Sequence, residues 1–494
     1  MTAAKPDHLS FSIGRQQLQK NLLIPKYYDP ELHEANELAS ADFYLPRLGD
    51  LLFPGPTGSR LGSWIRREHY GTGQIPYVRT SDLNGWRLRP DYKKGVARQV
   101  FDKVAKVQDV QIGDILMVAH GTYLVGTVAI VTAQDMPLVL QDHVFRLRIS
   151  PSSKFTTETG IKVDPWLVLA ALSTRFVKRQ IRARQFSADI IDKIGERHLD
   201  VRVPIPRSPD SRERISSKVQ NIIEKQSEAR HLIGEILGSD MRMIRERSET
   251  RLGFTIERRS LARNVLVPKY YDPQMRSDID RASRESDTPW LSIGELVDRN
   301  LITVTTGVEV GKMAYGTGDI PFLRTTDIAE LEVKANPRQG ISKESFEAYA
   351  AKASVNEGDI LLVRDGTYLV GSSAIVTKDD LPAIICGGLY RIRVSPGAAV
   401  EPYALLGSLN LPLVRRQMRS KQFTRDVIDT LGKRLFEVRI PDPRSEHSIR
   451  LAEALGRQMR IKEQTRKELG SITSQVEPAV PVQSRNRPGW SMRG

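Results

Sequence analysis

The chain has 494 residues, enough for two to four domains with cores of their own. A single cysteine, Cys386, excludes a disulfide framework and a cysteine-based zinc site and fits a reducing, cytosolic setting. The sequence opens without an apolar signal core and holds no apolar run of bilayer length, so neither standard export nor a membrane is expected; the net charge of +15 points instead to a polyanion, nucleic acid first.

The first element, FSIGRQQLQKNLLIPKYYDP at 11–30, ends in Lys26, Tyr27 and Tyr28 before an Asp-Pro turn. A lysine beside aromatics suits a phosphate clamp; tyrosines packed under the turn are the other reading. In YGTGQIPYVRTSDL at 70–83, a strand-like IPYV leads to Arg79, Thr80 and Ser81. An arginine there can grip a phosphate or a guanine edge bidentately, and the hydroxyls suit phosphate, unless Asp82 holds the arginine internally. GDILMVAHGTYLVGTVAIVT at 113–132 is rich in Val, Ile and Thr and is broken by Gly121 and Gly126, so it reads as strands joined by turns. That places Thr122 and Tyr123 at a loop tip, where reading groups usually sit, with His120 just before it; a plain hairpin whose tip touches nothing is the other reading. HVFRLRIS at 143–150 alternates apolar and basic, as a half-exposed strand should. WLVLAALSTRFVKRQIRARQ at 166–185 reads as helical and carries the densest basic cluster, with Lys178, Arg182 and Arg184. Such a helix face either lines a DNA cleft or is simply solvated.

After VRVPIPR at 201–207 the texture changes. Ser208 and Pro209 make a good helix start, and apolar residues then recur at Ile215, Val219, Ile222, Ala229, Ile233, Ile236 and Ile244 with helical spacing. About 40 helical residues would span about 60 Å, too long to be buried inside one domain.

Then the chain begins again. FTIERRSLARNVLVPKYYDP at 254–273 answers the first element, YGTGDIPFLRTTDI at 315–328 the second, and GDILLVRDGTYLVGSSAIVT at 358–377 the third, with 15 of 20 positions identical. LYRIRVS, VRRQMRSKQFTRDVIDTLG and VRIPDPR follow in the same order. The candidate contact residues recur as Lys269 and Tyr270; Arg324, Thr325 and Thr326; Thr367 and Tyr368; Arg415, Arg419 and Lys421. Ahead of the loop tip the copies differ, with Ala119 and His120 against Arg364 and Asp365, a difference that would let the two copies read different bases. A repeat this long means two whole domains. A second helical stretch at 445–476 carries Ile449, Ala452, Leu455, Met459, Leu469 and Ile472, with a polar middle at 462–467.

The expected fold is α+β. Two similar domains of mixed sheet plus helices, 1–207 and 251–443, are separated by two long antiparallel coiled-coil helices, 208–250 and 444–476, in a pseudo-two-fold arrangement. A disordered tail at 477–494 follows. Two unpaired surface helices are the alternative.

The order of domain, long helix, domain, long helix resembles the specificity subunit of type I restriction–modification systems. So do GQIPYVRTSDL and GDIPFLRTTDI, each followed by a GDIL…GTYLVG block, and the exit from VPIPR into a helix. The resemblance covers residues 10 to 475; an aromatic often seen as Trp in that family is Tyr77 here and Phe322 in the second copy. It implies two target-recognition domains on double-stranded DNA, each reading half of a split site with the helices setting the gap. It also implies a subunit with no chemistry, cofactor or metal of its own, carrying two adenine-methyltransferase subunits and in some systems restriction (translocase) subunits. A specificity factor of another methylase-based phage-defence system fits the same motifs.

A self-contained methylase or nuclease is the competing class, and an RNA-binding scaffold a third. Against the first, the chain has no Asn-Pro-Pro-Tyr or Asp-Pro-Pro-Tyr and no triphosphate-binding glycine loop. Its eight histidines are scattered without ligand spacing. PDYKKG at 90–95 has nuclease-like letters but reads as a turn and has no counterpart in the second copy. Against the third, aromatics are few, at 6%.

Overall fold

A computed structural model describes residues 15, 18, 25–28, 30–89, 95–121, 124–187, 192–238, 253–262, 265–329, 331–334, 339–366, 369–425 and 428–478. The chain forms two units, Met1–Glu224 with Thr465–Gly494, and Lys225–Gln464. Both are α+β.

In the first unit four antiparallel strands run in the order Ser59–Leu61, Val144–Leu147, Ile115–Val118, Val128–Ile130. Ile115 lies opposite Leu147 on one side and Ile130 on the other. Side chains of a strand alternate between its faces. Ile115 and Met117 accordingly enter one apolar cluster with Phe145 and Leu167, whereas Leu116 and Val118 enter another with Val78 and Leu140. The sheet is buried on both faces, which is why its strands read as unbroken apolar runs. A second sheet, Gly95–Val96, Ile75–Val78, Val139–Leu140, ends in a parallel pair with Tyr77 opposite Val139.

The second unit repeats this plan. Its six-stranded sheet begins with the same four strands, Ile302–Thr306, Leu389–Val394, Ile360–Val363 and Ser373–Ile375, and continues through Leu331–Val333 to Ile328–Ala329. Ile360 and Leu362 face one cluster, Leu361 and Val363 the other. Phe322 lies opposite Ile384 in the matching parallel pair. Tyr77 and Phe322, at the position expected to hold an aromatic, are fully buried.

The two-sided burial corrects one expectation. HVFRLRIS forms a strand, but not a half-exposed one: Arg146 is 1% exposed and donates to the carbonyls of Thr57 at 2.9 Å and Pro56 at 2.6 Å. Arg148 pairs with buried Asp114 at 2.8 Å, and Arg393 with buried Asp359 at 2.6 Å. Alternating arginines here are partnered cations, Arg146 buried and Arg148 and Arg393 half-buried, rather than a wet face.

The basic segment is two helices in each unit, Pro165–Leu172 with Arg175–Ala183 and Pro402–Asn410 with Pro412–Lys421. Asp164 caps the first, accepting the Leu167 N–H at 3.0 Å, and its other oxygen takes the Ser216 hydroxyl at 2.7 Å, tying a long helix to the sheet layer.

The long helices are Pro209–Gly238 and Glu446–Val476, of 30 and 31 residues; the expected seam residue Ile244 lies outside the described residues. Each unit holds the first half of one and the second half of the other. In the first unit Ile215, Val219 and Ile222 share a cluster with Ile472 and Val476; in the second, Ile233 shares one with Leu451, Leu455 and Met459. Two details depart from the expected seam. Ile449 is 42% exposed and Leu451 is buried instead. The polar middle is not wet throughout: Lys462 is 2% exposed, with its ammonium 3.6 Å from Glu332, and Thr465 is buried.

The expected tail starts as packed chain. Glu477 accepts the backbone N–H groups of Arg175 and Phe176 at 2.7 and 2.8 Å, capping the open end of that helix, and Pro478 is buried. Residues 479–494, and 90–94 of PDYKKG, lie outside the described residues.

Candidate nucleic-acid interface

The strand Ile75–Val78 runs into a tight turn at Thr80–Asp82, and Ile320–Leu323 into one at Thr325–Asp327. The turn is folded by its buried carboxylate. Asp82 accepts the backbone N–H of Arg79 at 2.8 Å and the Ser81 hydroxyl at 3.3 Å; Asp327 accepts that of Arg324 at 2.8 Å. Arg79, Thr80, Ser81, Arg324 and Thr325 are half-buried, and Thr326 is exposed. The Arg324 guanidinium lies 5.8 Å from the centre of the Tyr315 ring.

At the loop tip the backbone requires glycine. Gly121 and Gly366 have φ of +133° and +149°, reached readily by glycine alone. Gly126 and Gly371 sit at +82°, where a side chain would also strike Ile181 at 2.7 Å or Met418 at 2.9 Å. Thr122, Tyr123, Thr367 and Tyr368 lie outside the described residues.

The residues before the tip share a backbone frame and differ in chemistry. His120 bridges Lys193 and Asp365 bridges Thr430 in antiparallel fashion. The half-buried His120 ring lies 4.8 Å from that of His143; burial and the neighbouring His143 and Lys193 hold its pKa below the ordinary imidazole value. In the second unit Arg364 is 3.5 Å from Asp365 and donates to the carbonyl of Gly387 at 3.4 Å.

The basic helices present some cations and use others internally. Lys178, Arg182 and Arg419 are exposed. Arg184 lies past its helix end, half-buried, with bonds to the carbonyls of Gln180 at 3.2 Å and Asp200 at 3.5 Å and its guanidinium 5.5 Å from the Tyr27 ring. Arg415 donates to the carbonyl of Gly371 and to Ser372. Lys421 reaches Glu437 at 2.8 Å and lies 4.5 Å from the Tyr270 ring, while the Tyr270 hydroxyl donates to the same carboxylate at 2.5 Å. Burial and that carboxylate raise the Tyr270 pKa. In the second unit lysine, tyrosine and acid thus form one small knot that fixes the Lys-Tyr-Tyr segment to the basic helix; in the first, Arg184 stands beside Tyr27 at the corresponding place. Lys269 is exposed, and the Lys26 side chain lies outside the described residues.

Among the described residues, no three His, Cys, Asp or Glu side chains gather as a metal site, and no helix is long and apolar enough to cross a membrane.

No protein-family model matches the chain, and no curated protein does. Solved structures do. The S subunit of a type I restriction–modification system from M. genitalium is 12% identical, over 90% of this chain and 97% of that one, with a TM-score of 0.33. The HsdS subunit from Thermoanaerobacter tengcongensis is 16% identical, over 89% and 97%, with a TM-score of 0.27. A chain from a structure describing complex assembly and conformational transition of a type I system is 17% identical, over 88% and 96%, with a TM-score of 0.26. Along about nine-tenths of its length the chain is therefore similar to chains solved from type I restriction–modification systems.

Proposed function

We propose that this chain is the DNA-recognition subunit of a type I-like restriction–modification complex. Each domain reads one half of a bipartite target in double-stranded DNA. The two long helices pair antiparallel, set the spacing between the halves and dock two adenine-methyltransferase subunits. The subunit itself does no chemistry; in some such complexes restriction subunits join as well.

The observation that carries this reading is one frame built twice with different residues at its edge: the same strands, Asp-folded turn and glycine-shaped tip, but Ala119 and His120 against Arg364 and Asp365. A duplicated enzyme would keep the chemistry and let the frame drift. Exposed Lys178, Arg182, Lys269 and Arg419 supply phosphate contacts. To Arg79, Arg324, His120 and Arg364 we assign contacts with base edges, for which arginine and imidazole carry the donors. The test is selection of bound duplexes from a randomised pool by the full-length chain. Two short enriched blocks separated by a gap of fixed length are expected. One uninterrupted block, or no enrichment, would contradict the proposal.

A further inference from the structure

We propose that residues 64–69 and their counterparts 309–314 are base-discriminating loops, one in each domain. This rests on the reading of the chain as a duplex-DNA recognition subunit.

Both loops hang from one scaffold. Ile65 and Val310 are buried anchors. Tyr70 packs on Tyr77 at 5.3 Å, and Tyr315 on Phe322 at 5.7 Å. The Thr72 hydroxyl donates to the His69 carbonyl at 2.8 Å and accepts the Ala97 N–H at 3.1 Å. Thr317 does the same with Ala314 at 2.7 Å and Ser342 at 3.0 Å. Gly73 and Gly318 press so close to the neighbouring strand that an added Cβ would lie 2.4 Å from the carbonyl oxygen of Val96 or Ile341. Position by position the exposure pattern is the same: 64 and 309 exposed, 65 and 310 buried, 66–68 and 311–313 exposed, 69 and 314 half-buried.

The outward side chains share almost nothing. The first loop reads Trp-Ile-Arg-Arg-Glu-His and the second Glu-Val-Gly-Lys-Met-Ala. Trp64 is 67% exposed and Met313 90%, and the Arg66 and Glu68 side chains are 69% and 65% exposed. Large apolar side chains held this far into water on a braced loop do not serve the core. Their chemistry matches base edges. An arginine pairs bidentately with guanine, a carboxylate accepts from the cytosine amino group, and an apolar side chain meets the thymine methyl group. The second loop also runs close to its Arg-Thr turn, since Tyr315, the residue that follows the loop, stands beside the Arg324 guanidinium. Holding the backbone constant and changing only what it presents is the economical way for two sister domains to read two different half-sites.

The test repeats the duplex selection with the full-length triple variant Trp64→Glu, Arg66→Gly, Glu68→Met, which places the second loop's residues on the first. The reciprocal variant, Glu309→Trp, Gly311→Arg, Met313→Glu, is run beside it, and thermal unfolding of both is measured. We expect unfolding midpoints like the parent's, a loss of about tenfold in enrichment of one block, and the other block and the gap unchanged. The reciprocal variant changes the opposite block. Selection of the parental blocks by both variants overturns the proposal, as does equal loss of both blocks with the fold intact, which would make the loops affinity elements only. A parent that selects no split site overturns the underlying function instead.

Discussion

His198 is the residue whose state most clearly depends on its surroundings. Its ring is 2% exposed and stacks on Phe145 at 4.1 Å. Nδ1 lies 2.6 Å from the Gly195 carbonyl, which can only accept, so Nδ1 carries the proton and Nε2 accepts from the Ser59 hydroxyl at 2.8 Å. Burial pushes its pKa below the ordinary value. The second unit reaches the same end by other means: Leu435 replaces the histidine, and the Tyr390 hydroxyl, its pKa pushed up by burial to about 12, donates to the Gly432 carbonyl at 2.6 Å. An imidazole with a depressed folded pKa stabilises the fold above its unfolded value near 6.5 and loses that contribution as pH falls below it. The urea midpoint should therefore drop between pH 7.5 and 5.5, His120 adding in the same sense. The double variant Phe145→Tyr, His198→Leu, which copies the second unit, should remove most of the drop; a midpoint that holds or rises on acidification would contradict this. The close glycines give a second residue-scale prediction. A Cβ at Gly307 would lie 2.1 Å from the Ile385 carbonyl oxygen, and one at Gly62 2.3 Å from that of Gln141. Backbone cannot swing aside, so Gly307→Ala should cost about 3 kcal/mol in urea unfolding. Gly55→Ala, at φ +60° with open space around it, should cost about 1 kcal/mol; equal costs would show that the close approach does not matter.

At the scale of elements, the basic helices divide their cations between fold and surface. Arg182→Ala and Arg419→Ala should weaken binding to all duplexes alike, each lowering the slope of log affinity against log salt by about 1, and leave the selected blocks unchanged. Arg415→Ala should instead lower the unfolding midpoint, because that guanidinium is spent on the Gly371 carbonyl; unchanged stability would return Arg415 to the contact surface. The same division explains what the sequence revealed. The strands and long helices were legible because their apolar spacing is dictated by burial. The arginines of HVFRLRIS read as a wet face because a partnered cation and a solvated one look alike in a period of two. The seam slipped at Ile449 because Leu451 offers an equally apolar alternative two residues on. Of the candidate site, the Arg-Thr turns and the glycine-shaped tip stood out because both copies keep them. The loops at 64–69 and 309–314 did not, because a search for sameness passes over residues whose role requires them to differ.

At the scale of the whole molecule, reading a split site needs two recognition domains acting on one duplex at a set separation. Neither domain's fold supplies that; the long helices must. The most direct measurement is the affinity of the full-length chain for two duplexes carrying the same selected blocks, one with the selected gap and one with the gap lengthened by half a helical turn. Moving one block to the opposite side of the duplex should cost at least about tenfold in affinity and leave binding no stronger than to a duplex with a single block. Equal affinity for both gaps would contradict the account.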